Sequence, residues 1–163
     1  MIATGTADLS VLIDALAATP DRLDALVRGA GDDALDHAAA GEWPARAVLA
    51  HLRDDEWMVM RPRLSRMLLE DHPALVPFDE RAWAASPWNG RDPADTLLAD
   101  FRLQRQASLM ALRRLQPDDW RRSGLQPEYG AFDIHWLVEN WLRHDENHLA
   151  QIEATLAAAK GPA

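Results

Sequence analysis

Residues 140–152, "NWLRHDENHLAQI", decide how the whole chain is read. At 100° per residue His144 and His148 lie about 40° apart, on one face of a helix. Ile134, Leu137, Val138, Trp141, Ile152 and Leu156 extend that face in both directions. The segment therefore reads as an amphipathic helix, capped by Asp133 and running to about Ala158, with both imidazoles turned inward. Burying an imidazole without a partner costs roughly 1–3 kcal/mol, so two in one apolar stripe call for something that accepts both lone pairs. A divalent cation does so.

Moving outward, Asp92 as N-cap and Pro93 at the first helical position predict a third helix to about Leu115, with Leu97, Phe101, Gln104, Ser108, Ala111 and Leu115 along it. Pro44 predicts the start of a second, running to about Glu70 and bent at Pro62. On it Val48, His51, Leu52, Asp55, Met58 and Val59 share a face. From Ala7 to about Arg28 the residues Leu9, Leu12, Ile13, Leu16, Leu23, Leu26 and Val27 recur at helical spacing. Thr19–Pro20 within that run reads either as a kink or as the cap and first residue of a separate helix.

Residues 28–43 are polar and Gly-rich enough to connect the first two helices. Residues 71–92, with three prolines and two tryptophans, read as a long irregular segment able to run the length of a bundle, and residues 116–132 as a second long connection. The expected fold is all-α: a single four-helix-bundle domain over residues 1–163, without internal repeats. The short first connection favours antiparallel packing of helices one and two. The long second one permits a crossover that leaves helices two and three parallel.

Composition narrows the function. The 163 residues are 48 % apolar, largely Ala and Leu, and the net charge of −9 repels phosphate backbones, so nucleic acid is not an expected partner. The first twenty residues lack a basic n-region and no apolar run approaches the roughly 18 residues of a membrane span, so a cytoplasmic protein with no membrane association is expected. The absence of Cys leaves His and carboxylate as the only metal donors. A thiol, if one takes part, comes from a substrate.

His51 lies among Val48, Leu52 and Met58 on the apolar face of helix two and supplies a third imidazole. Three neutral imidazoles with an open fourth position are the pattern of a reactive zinc site rather than a closed structural one. The donors suit zinc or nickel foremost, and iron or manganese as well. His37 and His72 fall in connections, and His135 sits about 180° from His144 on its helix. Two other motifs fail on inspection. "HDENH" resembles the His-Glu-x-x-His of metalloproteases, but Asp145 occupies the general-base position and Glu146 falls on another face. The ferritin-like di-iron arrangement needs Glu-x-x-His twice, and this chain has none.

"GEWPARAVLAHLRDDEW" and "RHDENHLAQI" together resemble the DinB-like superfamily of metal-binding four-helix bundles, which includes bacillithiol S-transferases and is similar to the N-terminal regions of mycothiol-dependent isomerases. The first matches the family's Trp and His entering helix two, and the second its His-Asp-x-x-His-x-x-Gln-Ile ending. Pro44 departs from the Ser that often follows the tryptophan in relatives. The resemblance places metal ligands at His51, His144 and His148, the same three that the helix faces select. It implies an up-down-down-up bundle, often homodimeric, whose metal binds and activates a low-molecular-weight thiol against an electrophile.

The expected function is a metal-dependent enzyme, a thiol S-transferase or hydrolase acting on a small molecule. The alternative is a non-catalytic metal- or ligand-binding bundle. Asp55, one turn after His51, and Gln151, three residues after His148, are candidates to orient ligands or substrate from behind the metal. Trp83 and Trp88 are expected to cap the core, with a lid over the site as the alternative.

Overall fold

The computed structural model describes residues 6–86 and 92–160. Four long helices carry the fold. The first, α1 (Thr6–Val27), runs unbroken through Pro20. Proline cannot donate to the carbonyl four residues back. Here the Leu16 carbonyl accepts instead from Nη1 of the buried Arg105, 2.9 Å away. Pro20 is thus absorbed by a side chain from another helix, and no new segment begins at Thr19.

The connection after α1 holds a one-turn helix, α2 (Asp32–Leu35). Arg46 ties it down, with Nε 2.6 Å from Asp36 and Nη2 2.5 Å from Asp32. The second long helix comprises α3 (Ala45–Asp55), a π-turn over Glu56–Met60 and α4 (Arg61–Leu69). The distortion precedes Pro62 rather than following it, because the proline ring clashes with the carbonyl of Met58, four residues earlier, and the widened turn relieves that contact. A π-turn advances each residue by less than 100°, which carries Met58 off the inner face. It is 43 % exposed, contrary to its expected place beside His51, whereas Glu56 and Val59 are buried.

The long second connection contains α5 (Glu80–Ala84), capped by Asp79, which accepts from the Ala82 amide. The third long helix, α6 (Ala94–Leu112), has Pro93 rather than Asp92 at its N-cap, without a side-chain cap. Asp92 instead accepts from Arg53 Nη1 at 2.6 Å, so the expected cap is an interhelical ion pair. The inner face of α6 is also corrected: Arg105, Leu109 and Leu112 are buried, Gln104 and Ala111 are only half-buried at its margins, and Leu115 lies beyond its end.

Residues 116–132 are less irregular than expected. They hold a 3₁₀ turn (Asp119–Arg121) and an antiparallel hairpin of β1 (Ser123–Gln126) and β2 (Gly130–Asp133), with Ser123 opposite Asp133 and Gln126 opposite Gly130. Ala74 adds a parallel bridge to Leu125, so the two long connections are hydrogen-bonded to each other. Asp133 then caps α7 (Ile134–Ala159), its carboxylate accepting from the Trp136 amide at 2.8 Å.

Interhelical pairs give the directions. Thr19 meets Asp145 and Arg22 meets Glu146, so α1 and α7 run parallel. Arg53 meets Asp92 near the start of α6 and Arg61 meets Gln104 further along it, so the second and third long helices are parallel too. His51 meets His144 while Glu56 meets Trp141, which makes α3 and α7 antiparallel. The order is up-down-down-up, as expected.

The apolar core is divided. One cluster gathers Leu16, Leu64, Leu112, Leu137 and Trp141, and the other Leu23, Leu52, Phe101, Leu149 and Ile152. Between them lies a polar layer to which each long helix contributes: Thr19, Glu56, Arg105 and Asp145 are each at most 1 % exposed. Arg105 donates from Nε and Nη2 to Glu56, from Nη1 and Nη2 to Asp145, and from Nη1 to the Leu16 carbonyl, using its whole donor set. Thr19 and Trp141 add hydrogen bonds to Asp145 and Glu56.

Candidate metal centre

The centre sits against this layer. His51 comes from the inner face of α3, and His144 and His148 from successive turns of α7, on the stripe that buries Trp141 and Ile152. Their candidate ligand atoms all lie within 4.8 Å of one another. His51 Nε2 and His144 Nε2 are 3.1 Å apart, and the His144 and His148 ring centres 4.5 Å. Two imidazole nitrogens sharing a tetrahedral ion at about 2.0–2.1 Å stand about 3.3–3.4 Å from each other, so the 3.1 Å pair is close to a ligand spacing.

Protonation fits a cation. Burial, and then the neighbouring His144 and His148, lower the His51 imidazole to about 2. Burial and His144 lower His148 to about 4, against the opposing hydrogen bond to Gln151. Both rings are neutral near pH 7 and each offers a lone pair. His148 Nδ1 donates to Gln151 Oε1 at 2.8 Å, which leaves Nε2 free to ligate. Gln151, a candidate to orient a ligand, is thus hydrogen-bonded to the far nitrogen of His148.

Asp55 also reaches the centre. Its Oδ2 is 3.2 Å from His144 Nε2, while Oδ1 is buried without a hydrogen-bond partner among the described residues. Burial raises this carboxyl to about 6, moderated by His144 and Arg63 and reinforced by Glu80 and Glu56. A cavity of about 240 Å³ opens over Asp55, His51 and His144 and extends to Arg63, Tyr129 and Asn140. A second, of about 350 Å³, opens beside His148, Gln151 and Trp43.

The other histidines are elsewhere. His37 follows α2, His72 contacts Ser123 at 2.7 Å, and His135 lies beside Glu139 at 3.7 Å. Trp83 is 8 % exposed, its indole N–H bonded to Asp54 and its ring 5.0 Å from that of His51, so it caps the core beside that imidazole. Trp88 lies outside the described residues.

Sequence reasoning missed Glu56, Arg63 and Arg105. A signal existed: each charge sits on an apolar helical stripe, Arg105 between Phe101 and Leu109, Glu56 between Leu52 and Met60, Arg63 between Val59 and Met67. Asp145, aligned with a protease base, is wholly buried and bound to Arg105 and Thr19. It belongs to the polar layer. Burial pushes its carboxyl up, but the Arg105 charge and the hydrogen bonds it accepts hold it down at about 2.

Comparison with known proteins gives the family and the fold. The DinB superfamily model matches residues 15–152. A Geobacillus thermodenitrificans protein, provisionally named a metal-dependent hydrolase, is 31 % identical over 152 residues, covering 89 % of this chain and 82 % of that one. An Oceanobacillus iheyensis protein of the same provisional name is 30 % identical over 113 residues, 69 % of this chain. The chain spans 64 % of that relative's length. YfiT from Bacillus subtilis, described provisionally as a metal-dependent hydrolase with an unusual four-helix bundle topology, superposes with a TM-score of 0.89 at 24 % identity, covering 100 % of this chain and 93 % of that one. The fold is shared with YfiT, and by its matched family model the chain belongs to the DinB superfamily.

Proposed function

We propose that the protein is a metal-dependent enzyme that turns water or a low-molecular-weight thiol into a nucleophile and directs it at a small electrophilic substrate. The observation that carries this reading is the 3.1 Å approach of His51 Nε2 and His144 Nε2, with His148 held by Gln151. His51, His144 and His148 would hold the ion. Bound there, a divalent cation with an open position supplies Lewis acidity and lowers the pKa of the water or thiol it takes up.

The chain's own groups do the rest. Asp55 lines the same cavity, and its carboxylate would accept the proton that the nucleophile loses. Val59, Met60 and Phe78 supply the apolar part of a lining that is otherwise polar. The absence of Cys means that no protein thiol competes for the ion. The provisional names of the relatives support hydrolysis, and the family resemblance supports thiol transfer. Zinc or nickel as the ion, and a homodimer as the assembly, belong to the same proposal.

The test combines metal analysis of tag-free protein with turnover of monochlorobimane by a panel of thiols and of p-nitrophenyl esters by water. The expected result is about one ion per chain and turnover that His148→Ala lowers at least tenfold. Equal rates for native protein and variant would overturn the enzyme reading and leave a binding bundle.

A further inference from the structure

Arg63 is the one arginine or lysine that lines the 240 Å³ cavity among the described residues, and the proposed chemistry does not use it. It is 9 % exposed, and its Nε is buried without a hydrogen-bond partner among the described residues. Its guanidinium makes one long hydrogen bond, from Nη2 to the Val76 carbonyl at 3.3 Å. Arg46 and Arg105, the other buried arginines among the described residues, each hold at least one carboxylate. Among the described residues no carboxylate comes within 4.0 Å of Arg63, although Asp55, Glu80 and Glu128 line the same cavity.

A buried guanidinium stays charged, and its planar fork matches a carboxylate through two parallel hydrogen bonds. Leaving it unpaired is costly, so such a side chain marks a place where an anion completes the structure. Burial lowers the Arg63 pKa and nearby Asp55, Tyr129 and Glu128 oppose this, yet no carboxylate among the described residues pairs with it directly. Tyr129 and Asn140 give the cavity neutral polar groups around the same space. The carboxylates of Asp55, Glu80 and Glu128 disfavour a ligand with several negative charges.

We infer that Arg63 is a carboxylate-binding subsite, and that the substrate or co-substrate is a small molecule with a single carboxylate, which Arg63 holds while its reactive end faces the histidines. The carboxylate contact stands on the cavity alone. Its use in positioning a substrate rests on the metal-enzyme reading above.

The test labels arginine side chains with ¹⁵N and identifies the Arg63 Nε–H resonance as the one missing in Arg63→Lys. Propionate, propionamide, 3-mercaptopropionate and 2-mercaptoethanol are titrated into metal-free and zinc-loaded protein. Propionate is expected to move the Arg63 resonance saturably in both forms, and propionamide is not. In zinc-loaded protein 3-mercaptopropionate should bind at least tenfold tighter than 2-mercaptoethanol, an advantage lost in Arg63→Gln and in Arg63→Lys. Absence of a saturable propionate shift in both forms overturns the subsite, whatever the metal does. A propionate shift without any zinc-dependent gain for the thiols preserves the subsite and overturns the positioning role.

Discussion

Single side chains set the character of the centre. Gln151 accepts the Nδ1–H of His148, which fixes the tautomer and aims Nε2 at the other rings. Replacing such an outer partner weakens metal binding about 10–100-fold. Gln151→Leu should therefore lose zinc affinity by that factor in competition with a chromophoric chelator, while its circular dichroism remains native. Arg105 works on stability instead. Removing it leaves the buried Glu56 and Asp145 carboxylates without their shared cation, and breaking a buried ion network costs about 3–5 kcal/mol. Arg105→Ala should lose that much in urea denaturation. Glu56→Gln, which leaves Arg105 paired with Asp145, should lose less. The inward face of His144 and His148 was legible from their spacing, whereas the 2.8 Å contact of Gln151 with His148 depends on side-chain rotamers that spacing does not fix.

At the scale of elements, two aspartates read alike in sequence and differ in the structure. Asp133 caps α7 through the Trp136 amide, while Asp92 pairs with Arg53 and leaves the start of α6 to Pro93. Loss of a side-chain cap costs roughly 0.5–2 kcal/mol, and a half-exposed ion pair about 0–1 kcal/mol. Asp133→Ala should therefore lower the melting temperature more than Asp92→Ala, as calorimetry would show. The π-turn has the same kind of origin. Pro62 announced a distortion, but its position over Glu56–Met60 follows from where the displaced carbonyl could be accommodated. The hairpin escaped notice because each strand is four residues long, too short for alternation to register, and its pairing with residues 73–75 is non-local.

Across the whole molecule, the ion would link α3 to α7 at a place where the bundle already holds together. The two apolar clusters and the Arg105 layer need no metal. Removal of zinc with dipicolinate should leave helical content unchanged. It should lower the melting temperature by about 5–10 °C relative to protein in 100-fold excess over the dissociation constant, a linkage of about 2.7 kcal/mol. His148→Ala should abolish that difference. The sequence by itself determined four amphipathic helices, their approximate limits, the inward faces of His51, His144 and His148, and the cap at Asp133, because helical periodicity and capping act within a few residues. Only the tertiary structure decided that Arg105 would satisfy both Glu56 and Asp145 and take up the carbonyl freed by Pro20, and that Arg63 would be left without a paired carboxylate among the described residues. A buried charge is settled by partners from other helices, and no local stretch of sequence contains them.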